Sequence, residues 1–341
     1  MNNFDVVIPI KYSNYDIALQ TITNVKKFIN PKRIVIVSST KILDLPTFDR
    51  TDVEFIDEDL IYDGLSLRSV KDELILNKIP YEFAGWYIQQ FIKIAYAFHC
   101  RENFYMVWDA DTIPLRRIEF FNENDTPYLT LKKEYHKCYF DTCNRLIGIN
   151  KQINESFISE HMLIKVDIIK ELILKIEMNK SLNGEYFWKK IIHAASFSDH
   201  FQSFSEFETI GSYIKAYYSD QYALRRLHTL RTCEVYIKKS NINKMQKWIS
   251  KDFDMVSFEG LYDSNKYTRI TRRIVRCCRY FLSFKKTVLS INSVAYLLSK
   301  SKIPTFKKIY SFYLLTQEFD FLFGDLTNFE MGKHLLEKEK S

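Results

Sequence analysis

Three short runs of apolar, largely β-branched residues open this chain, at positions 4–10, 33–38 and 53–57. Between the first two, Ile17, Ala18, Ile22, Val25 and Phe28 recur at helical spacing, and Pro31 marks the break before the second run. Near-continuous apolar strands alternating with helices predict a parallel sheet covered on both faces, an α/β architecture. The first strand is not followed by GxGxxG, which argues against a dinucleotide dehydrogenase, and GxxxxGK[ST] is absent, which argues against a P-loop enzyme.

A fourth apolar run, Phe104-Tyr105-Met106-Val107-Trp108, stops abruptly at Asp109-Ala110-Asp111. Side chains alternate along extended backbone, so carboxylates at i and i+2 are expected to point the same way. Two hard oxygen ligands at a strand end suit Mg²⁺ or Mn²⁺ held by few protein groups and completed by phosphate oxygens. An Asp-rich turn after a strand would give the same local pattern. The preceding stretch, 82–100, predicts a helix with Phe91, Ile94, Ala95 and Phe98 on its apolar face and Gln89 and Lys93 one turn apart on another. A crossover of this kind places the helix start near the carboxyl ends of the strands, where Lys93 could meet a phosphate. On patterning alone, a solvated lysine fits equally well.

Further along, 126–133 reads as a strand and 156–165 as a strand-like segment leading into a helix that ends near Met178. Residues 185–195 form a predicted helix. Another follows, with Ser203 or Ser205 as its N-cap and Glu206 and Glu208 in its first turn. With 46% hydrophobic residues and only 8 Gly and 7 Pro among 341 positions, the chain has ample material for a core and little for disorder. The six cysteines form no CxxC pair and read as reduced thiols. The N-terminus runs straight into a strand without a basic and apolar leader, and no stretch of 18 uncharged apolar residues occurs.

Five segments match one family in order. They are Val6-Val7-Ile8-Pro9-Ile10-Lys11; Gly85-Trp86-Tyr87-Ile88-Gln89-Gln90-Phe91-Ile92-Lys93; Trp108-Asp109-Ala110-Asp111-Thr112-Ile113-Pro114-Leu115; Ser156-Phe157-Ile158-Ser159-Glu160-His161-Met162; and Phe204-Ser205-Glu206-Phe207-Glu208-Thr209-Ile210-Gly211. Together, across about residues 4–220, the chain resembles bacterial glycosyltransferases of the GT-A fold found among genes for surface polysaccharides. The resemblance implies that the N-terminal sheet binds a nucleoside-diphosphate sugar and that Asp109 and Asp111 are the DxD pair. These carboxylates would hold Mn²⁺ or Mg²⁺ against the diphosphate. Pro9, Lys11, Gln89 and Lys93 are then expected on the donor. Glu206 and Glu208, which could equally be acids complementing a helix dipole, and Glu160 and His161 are expected to bind the acceptor or act as base. The resemblance also implies that a late histidine, His228, could be a further metal ligand.

The net charge of +7 hides an asymmetry. Residues 265–317 carry 12 Lys or Arg and no Asp or Glu, so the remainder holds 37 of the 49 basic residues against all 42 acids, a net of −5. Arg269, Arg272, Arg273, Arg276 and Arg279 recur at helical spacing, with Ile270, Ile274 and Val275 between them and Phe281 just beyond. A basic amphipathic helix of this kind is suited to an anionic membrane surface, although a solvated or docked face would share the pattern. No helix-turn-helix, zinc-finger or RNP-type signal accompanies it, so nucleic acid is not the expected partner.

The sequence therefore predicts an α/β fold of GT-A type, a Rossmann-like mixed sheet flanked by helices, over 1–240. A mostly helical, basic region is expected over 241–341. The expected activity is metal-dependent transfer from a nucleotide sugar to a bacterial surface glycan or lipid-linked glycan, in the cytoplasm and peripherally on the inner membrane face. A metal-dependent nucleotidyltransferase and a non-catalytic membrane scaffold are the alternatives.

Overall fold

Strand β1 (Phe4–Pro9) is almost wholly apolar, and the side chains of Val6, Val7 and Ile8 are fully buried on both faces of a sheet. Helix α1 (Tyr15–Phe28) and strand β2 (Arg33–Ser38) follow as the spacing predicts, then β3 (Glu54–Asp57). Two helices, α2 (Leu67–Leu76) and α3 (Ala84–Ala95), carry the chain back across the sheet to β4 (Phe104–Trp108). After a short β5 (Thr112–Pro114) and β6 (Tyr128–Thr130) come α4 (Lys137–Ile147), β7 (His161–Lys165), α5 (Val166–Glu177), α6 (Phe187–Ala195), α7 (Glu206–Tyr217) and β8 (Ala223–Arg225). The computed structural model describes residues 3–49, 51, 53–260, 265–300 and 307–308. It separates into two units, 1–227 and 228–341.

The first unit is built on a five-stranded sheet in the order β3-β2-β1-β4-β7. β1 to β4 are parallel, and β7 runs antiparallel to β4 with Trp108 opposite His161. The mixed α/β fold with flanking helices is therefore as the sequence predicted. From β1 the chain moves outward through β2 to β3, then returns to place β4 on the other side of β1. The crevice between the carboxyl ends of β1 and β4 is thus the point where strand order reverses, where ligands bind in open α/β sheets. At the opposite end of the same strands, the fully buried Asp5 is held by Arg33, with Nε donating at 2.9 Å, and by the Tyr96 hydroxyl at 3.0 Å.

Two local expectations are corrected. The α3 helix ends at Ala95, and the chain tightens through Tyr96–Phe98, so Phe98 leaves the apolar stripe. It is half exposed and packs on Tyr62, ring centroids 5.4 Å apart. Asp109 and Asp111 do not lie on extended backbone either. β4 ends at Trp108, and the Thr112 N–H donates to the Asp109 carbonyl at 3.1 Å, closing a turn around both aspartates. Strand alternation therefore does not set their directions.

The second unit contains β9 (Thr229–Leu230), α8 (Ile242–Ile249) and β10 (Met255–Ser257), followed by α9 (Lys266–Cys278) and α10 (Phe284–Ser299). β9 and β10 pair in parallel. Phe284 is its aromatic anchor, edge-on to Trp248, Phe253 and Tyr236 at 5.0, 5.7 and 6.3 Å. α9 buries Thr268, Thr271, Arg272 and Val275, and the Arg272 Nε donates to the Glu234 carbonyl at 2.8 Å. Arg272 thus turns inward, unlike the outward arginine row that the spacing suggested. Its opposite face exposes Arg269, Ile270, Arg273, Ile274 and Arg276, and the chain beyond exposes Tyr280 and Phe281, the latter 87% accessible. Of the basic segment at 265–317, positions 301–306 and 309–317 lie outside the described residues. No helix among the described residues is long and apolar enough to cross a membrane.

Helix α7 reaches its seat through a glycine. A β-carbon on Gly211 would stand 2.6 Å from the Phe157 β-carbon and closer still to its ring. In an open helix, Gly→Ala stabilises by about 1 kcal/mol. Here overpacking of about 1–3 kcal/mol decides the sign. Gly211→Ala is expected to lower the urea midpoint, and the double variant with Phe157→Ala to cost less than the two single losses combined. An unchanged midpoint in Gly211→Ala would show that α7 does not sit this close.

Candidate functional site

The turn that carries the two aspartates is clamped from three sides. The Asp109 N–H donates to the Glu160 carbonyl at 2.9 Å, and the Trp108 indole N–H donates to the Thr112 carbonyl at 2.8 Å. From α1, the Asn24 amide donates to the Pro114 carbonyl at 2.8 Å. Val7 pairs with Val107, so the Pro9-Ile10-Lys11 segment and the aspartate turn leave neighbouring strands at the switch-point crevice.

Lys93 lies in the last turn of α3 and is buried. Helical side chains lean toward the helix start, and this one reaches up to the carboxyl edge of the sheet. Its ammonium donates to Asp109 Oδ1 and to Glu206 Oε1, both at 2.6 Å, and lies 4.4 Å from the centre of the Phe207 ring. Burial alone would lower its pKa, but the attraction of Asp109 and Glu206 outweighs that penalty and the net shift is upward. Glu206 is equally buried, whereas the Asp109 side chain is 32% accessible, so the cluster opens outward only through Asp109. Gln90, one turn before Lys93, accepts from the Glu206 N–H at 3.1 Å. The expectations divide here: Lys93 is occupied by two carboxylates, and of the adjacent glutamines Gln89 is exposed while Gln90 is the one turned inward. Lys11 is exposed and Pro9 partly buried.

Ser205 caps α7, its hydroxyl accepting from the Glu208 N–H at 3.2 Å, which fixes the first turn. Glu206 and Glu208 both follow this cap and take different roles. Glu208 accepts from the Ser156 hydroxyl and from the Phe157 N–H at 3.2 Å, and burial pushes its pKa up. It therefore staples the 156–157 segment to α7, beside the contact at Gly211. Glu160 sits at φ +59°, a left-handed conformation costly for a residue with a side chain, and pairs with buried Lys132 at 3.3 Å. His161 is buried between Trp108 and Phe120, with its Nε2 3.1 Å from the Thr130 hydroxyl. Burial first, then Arg225 and Lys132, hold it well below the usual histidine range, so it is neutral. His228 belongs to the second unit, where its N–H donates to Asp254 at 2.7 Å.

Among the described residues, no group of three or more His, Cys, Asp or Glu stands close enough together to hold a metal ion. A divalent cation at the turn would therefore rely on two carboxylates and take its other ligands from water and substrate oxygens. That donor set fits Mg²⁺ or Mn²⁺, which keep waters and bind through one or two carboxylates plus phosphates. The partly accessible Asp109 and Asp111, at the mouth of the crevice, are compatible with such an ion.

Residues 19–264 match the profile of a family of unknown function, DUF6492. The chain belongs to DUF6492. Curated proteins give no match to this DUF6492 chain. Among solved structures it is similar to mouse xyloside xylosyltransferase 1, at 8% identity and a TM-score of 0.42 over 75% of this chain and 98% of that one. It is also similar to the galactosyltransferase LgtC, at 10% identity and 0.41 over 82% and 96%. A third likeness is to S. aureus TarS, at 11% identity and 0.37 over 96% of this chain and 46% of that one.

Removing Lys93 would leave the buried Glu206 facing Asp109 without a counter-charge. Breaking a buried pair from one side costs about 3–5 kcal/mol. Lys93→Met is expected to lose stability of that order in urea unfolding, and Lys93→Met with Glu206→Gln to recover part of it. A Lys93→Met protein as stable as its parent would show that the ammonium does not hold these carboxylates.

Proposed function

We propose that this chain is a metal-dependent glycosyltransferase that moves a sugar from a nucleoside-diphosphate donor to a bacterial surface glycan. The observation that carries the reading is the clamped Asp109–Asp111 turn at the switch-point crevice, with Asp109 tied through Lys93 to Glu206. In this reading Asp109 and Asp111 would hold Mn²⁺ or Mg²⁺ against the donor diphosphate, and such an ion would supply positive charge for the departing nucleotide. Pro9 and Lys11 border the same crevice and are assigned to the donor, with Gln89 at the outer surface of α3. Lys93 and Glu206 act as positioning residues, because a carboxylate held from behind by an ammonium keeps one oxygen for its ligand. The remaining acceptor-side candidates are buried: Glu160 holds the aspartate turn through its carbonyl, Glu208 accepts from the Ser156 hydroxyl, and His161 lies beside Thr130.

The second unit supplies the second half of the reading, a place on the cytoplasmic face of an anionic membrane. Ile270, Ile274, Tyr280 and Phe281 are exposed beside Arg269, Arg273 and Arg276, which combines apolar anchors with positive charge. Each basic residue near such a surface contributes about 1 kcal/mol.

A thermal-shift panel of nucleoside-diphosphate sugars with and without Mn²⁺ tests the first part. One donor is expected to raise the melting temperature only with the cation, corresponding to about 2.7 kcal/mol at a hundredfold excess over Kd. Asp109→Asn with Asp111→Asn should stay folded and lose that shift. Silence from every donor would sink the proposal, and release of pyrophosphate from a nucleoside triphosphate incubated with a sugar phosphate would make the protein a nucleotidyltransferase. For the membrane, co-sedimentation with phosphatidylglycerol vesicles should be salt-sensitive and should fall at least tenfold in Arg273→Glu with Arg276→Glu. Equal binding of both proteins would remove α9 from the membrane contact.

A further inference from the structure

A cleft of about 850 Å³ opens in the first unit, apart from the aspartate turn. Its walls are the start of α4 with the segment before it, the loop between α6 and α7, and Phe83 at the foot of α3. Three of its rings are left open. Tyr135 and Phe197 are each 61% accessible and Phe201 is 47% accessible. Tyr135 stacks one face on Phe140 at 5.6 Å, and Phe201 leans on Phe83 at 5.7 Å. Exposed aromatic rings gathered in a concave site are unusual for a bare solvated surface, because each leaves a large apolar area in water.

The cleft is built in advance. Tyr87, buried in α3, donates its hydroxyl to the Phe201 carbonyl at 2.7 Å. The Ser203 hydroxyl donates to the Ala195 carbonyl at 3.1 Å, tying the end of the loop to its beginning. Arg145 lies in the wall with Nε on the Ala194 carbonyl at 2.8 Å and its guanidinium 5.9 Å from the Phe197 ring centre. The loop then runs directly into the Ser205 cap and Glu206, while Phe83 leads into the helix that carries Gln90 and Lys93. The cleft and the Lys93 cluster therefore share the supports of α3 and α7.

The chemistry of the lining selects a class of ligand. Lys137 pairs with Asp141 at 2.6 Å, and Arg145, Asp199, His136 and His200 also line the cleft, so the lining has no single-sign field. A nucleic acid or a phosphate-rich ligand needs a concentration of positive charge. A lipid chain needs an enclosed apolar tunnel. A sugar ring offers an apolar face of C–H groups and a rim of hydroxyls that both donate and accept. Open rings interspersed with carboxylates, imidazoles and an amide from Gln202 complement both features.

We infer that this cleft, floored by Tyr135, Phe197 and Phe201, binds the saccharide acceptor. The inference rests on the sugar-transfer reading, and its test separates the two. The full chain is titrated with defined neutral, N-acetylated and acidic oligosaccharides and followed by saturation-transfer NMR. The same proteins are scored for the Mn²⁺-dependent shift with a nucleotide sugar. At least one oligosaccharide is expected to bind, and Tyr135→Ala and Phe197→Ala, both at exposed rings, should weaken it at least tenfold. The donor shift should keep its size in both variants. Asp199→Asn, on the exposed loop, serves as a third variant if either alanine change unfolds the protein, and is expected to weaken the same saccharide. Undiminished saccharide binding in the folded variants, or no saccharide bound while the donor shift persists, overturns the cleft assignment alone. Loss of the donor shift in the parent protein overturns transfer, and saccharide binding then decides the cleft by itself.

Discussion

The buried ammonium of Lys93 is the interaction on which the site depends. A lone charge removed from water costs several kcal/mol even after relaxation, and only close opposite charge with satisfied hydrogen bonds offsets that cost. Here two carboxylates at 2.6 Å provide the offset, and they come from two different elements, the end of β4 and the start of α7. One side chain on α3 therefore fixes the relative placement of three segments. It leaves a net negative group whose accessible side is Asp109, the arrangement a cation-binding turn requires.

The two ends of the central strands use the same physics for different purposes. At the amino end, Asp5 and Arg33 form a pair completed by Tyr96 and the Cys100 thiol, which ties the sheet to the segment that follows α3. That pair holds layers together. At the carboxyl end, Asp109 stands on a turn held by Glu160, Thr112 and Asn24 contacts, and Glu160 takes up a left-handed conformation to make one of them. Strain of this kind is kept where the surrounding structure over-determines it. The rigid parts of the crevice are thus concentrated around the residues that would meet a ligand.

Much of the architecture was legible in the residues. The β-branched run within 33–38 and the aromatic-rich apolar run at 104–108 became strands at those bounds, because a strand buried on both faces has no polar alternation to confuse it. Ser205 acts as the N-cap that its position before two acids suggested. Helix α4 went unseen because residues 138–143 are Cys, Tyr, Phe, Asp, Thr and Cys, with Asn144 completing a run of modest helix propensity. Its one clear signal was Gly148, left-handed at φ +72°, which closes the helix. The cleft was invisible for a related reason: its rings are scattered over 83–201, and only the tertiary fold gathers them.

The residues alone determined that the chain would build a mostly parallel sheet ending in a pair of aspartates, since strand type follows from local apolar pattern and β-branching. They could not determine which way the side chains on that foundation face. Adjacent Gln89 and Gln90 are chemically the same, and only the seating of α3 sends one outward and the other to Glu206. Lys93 looked as much like a solvated lysine as a ligand, and Glu206 and Glu208 like two equivalent helix acids. Packing separated them, because burial makes each charge find its own partner, and partners distant in sequence are chosen by how helices and strands dock.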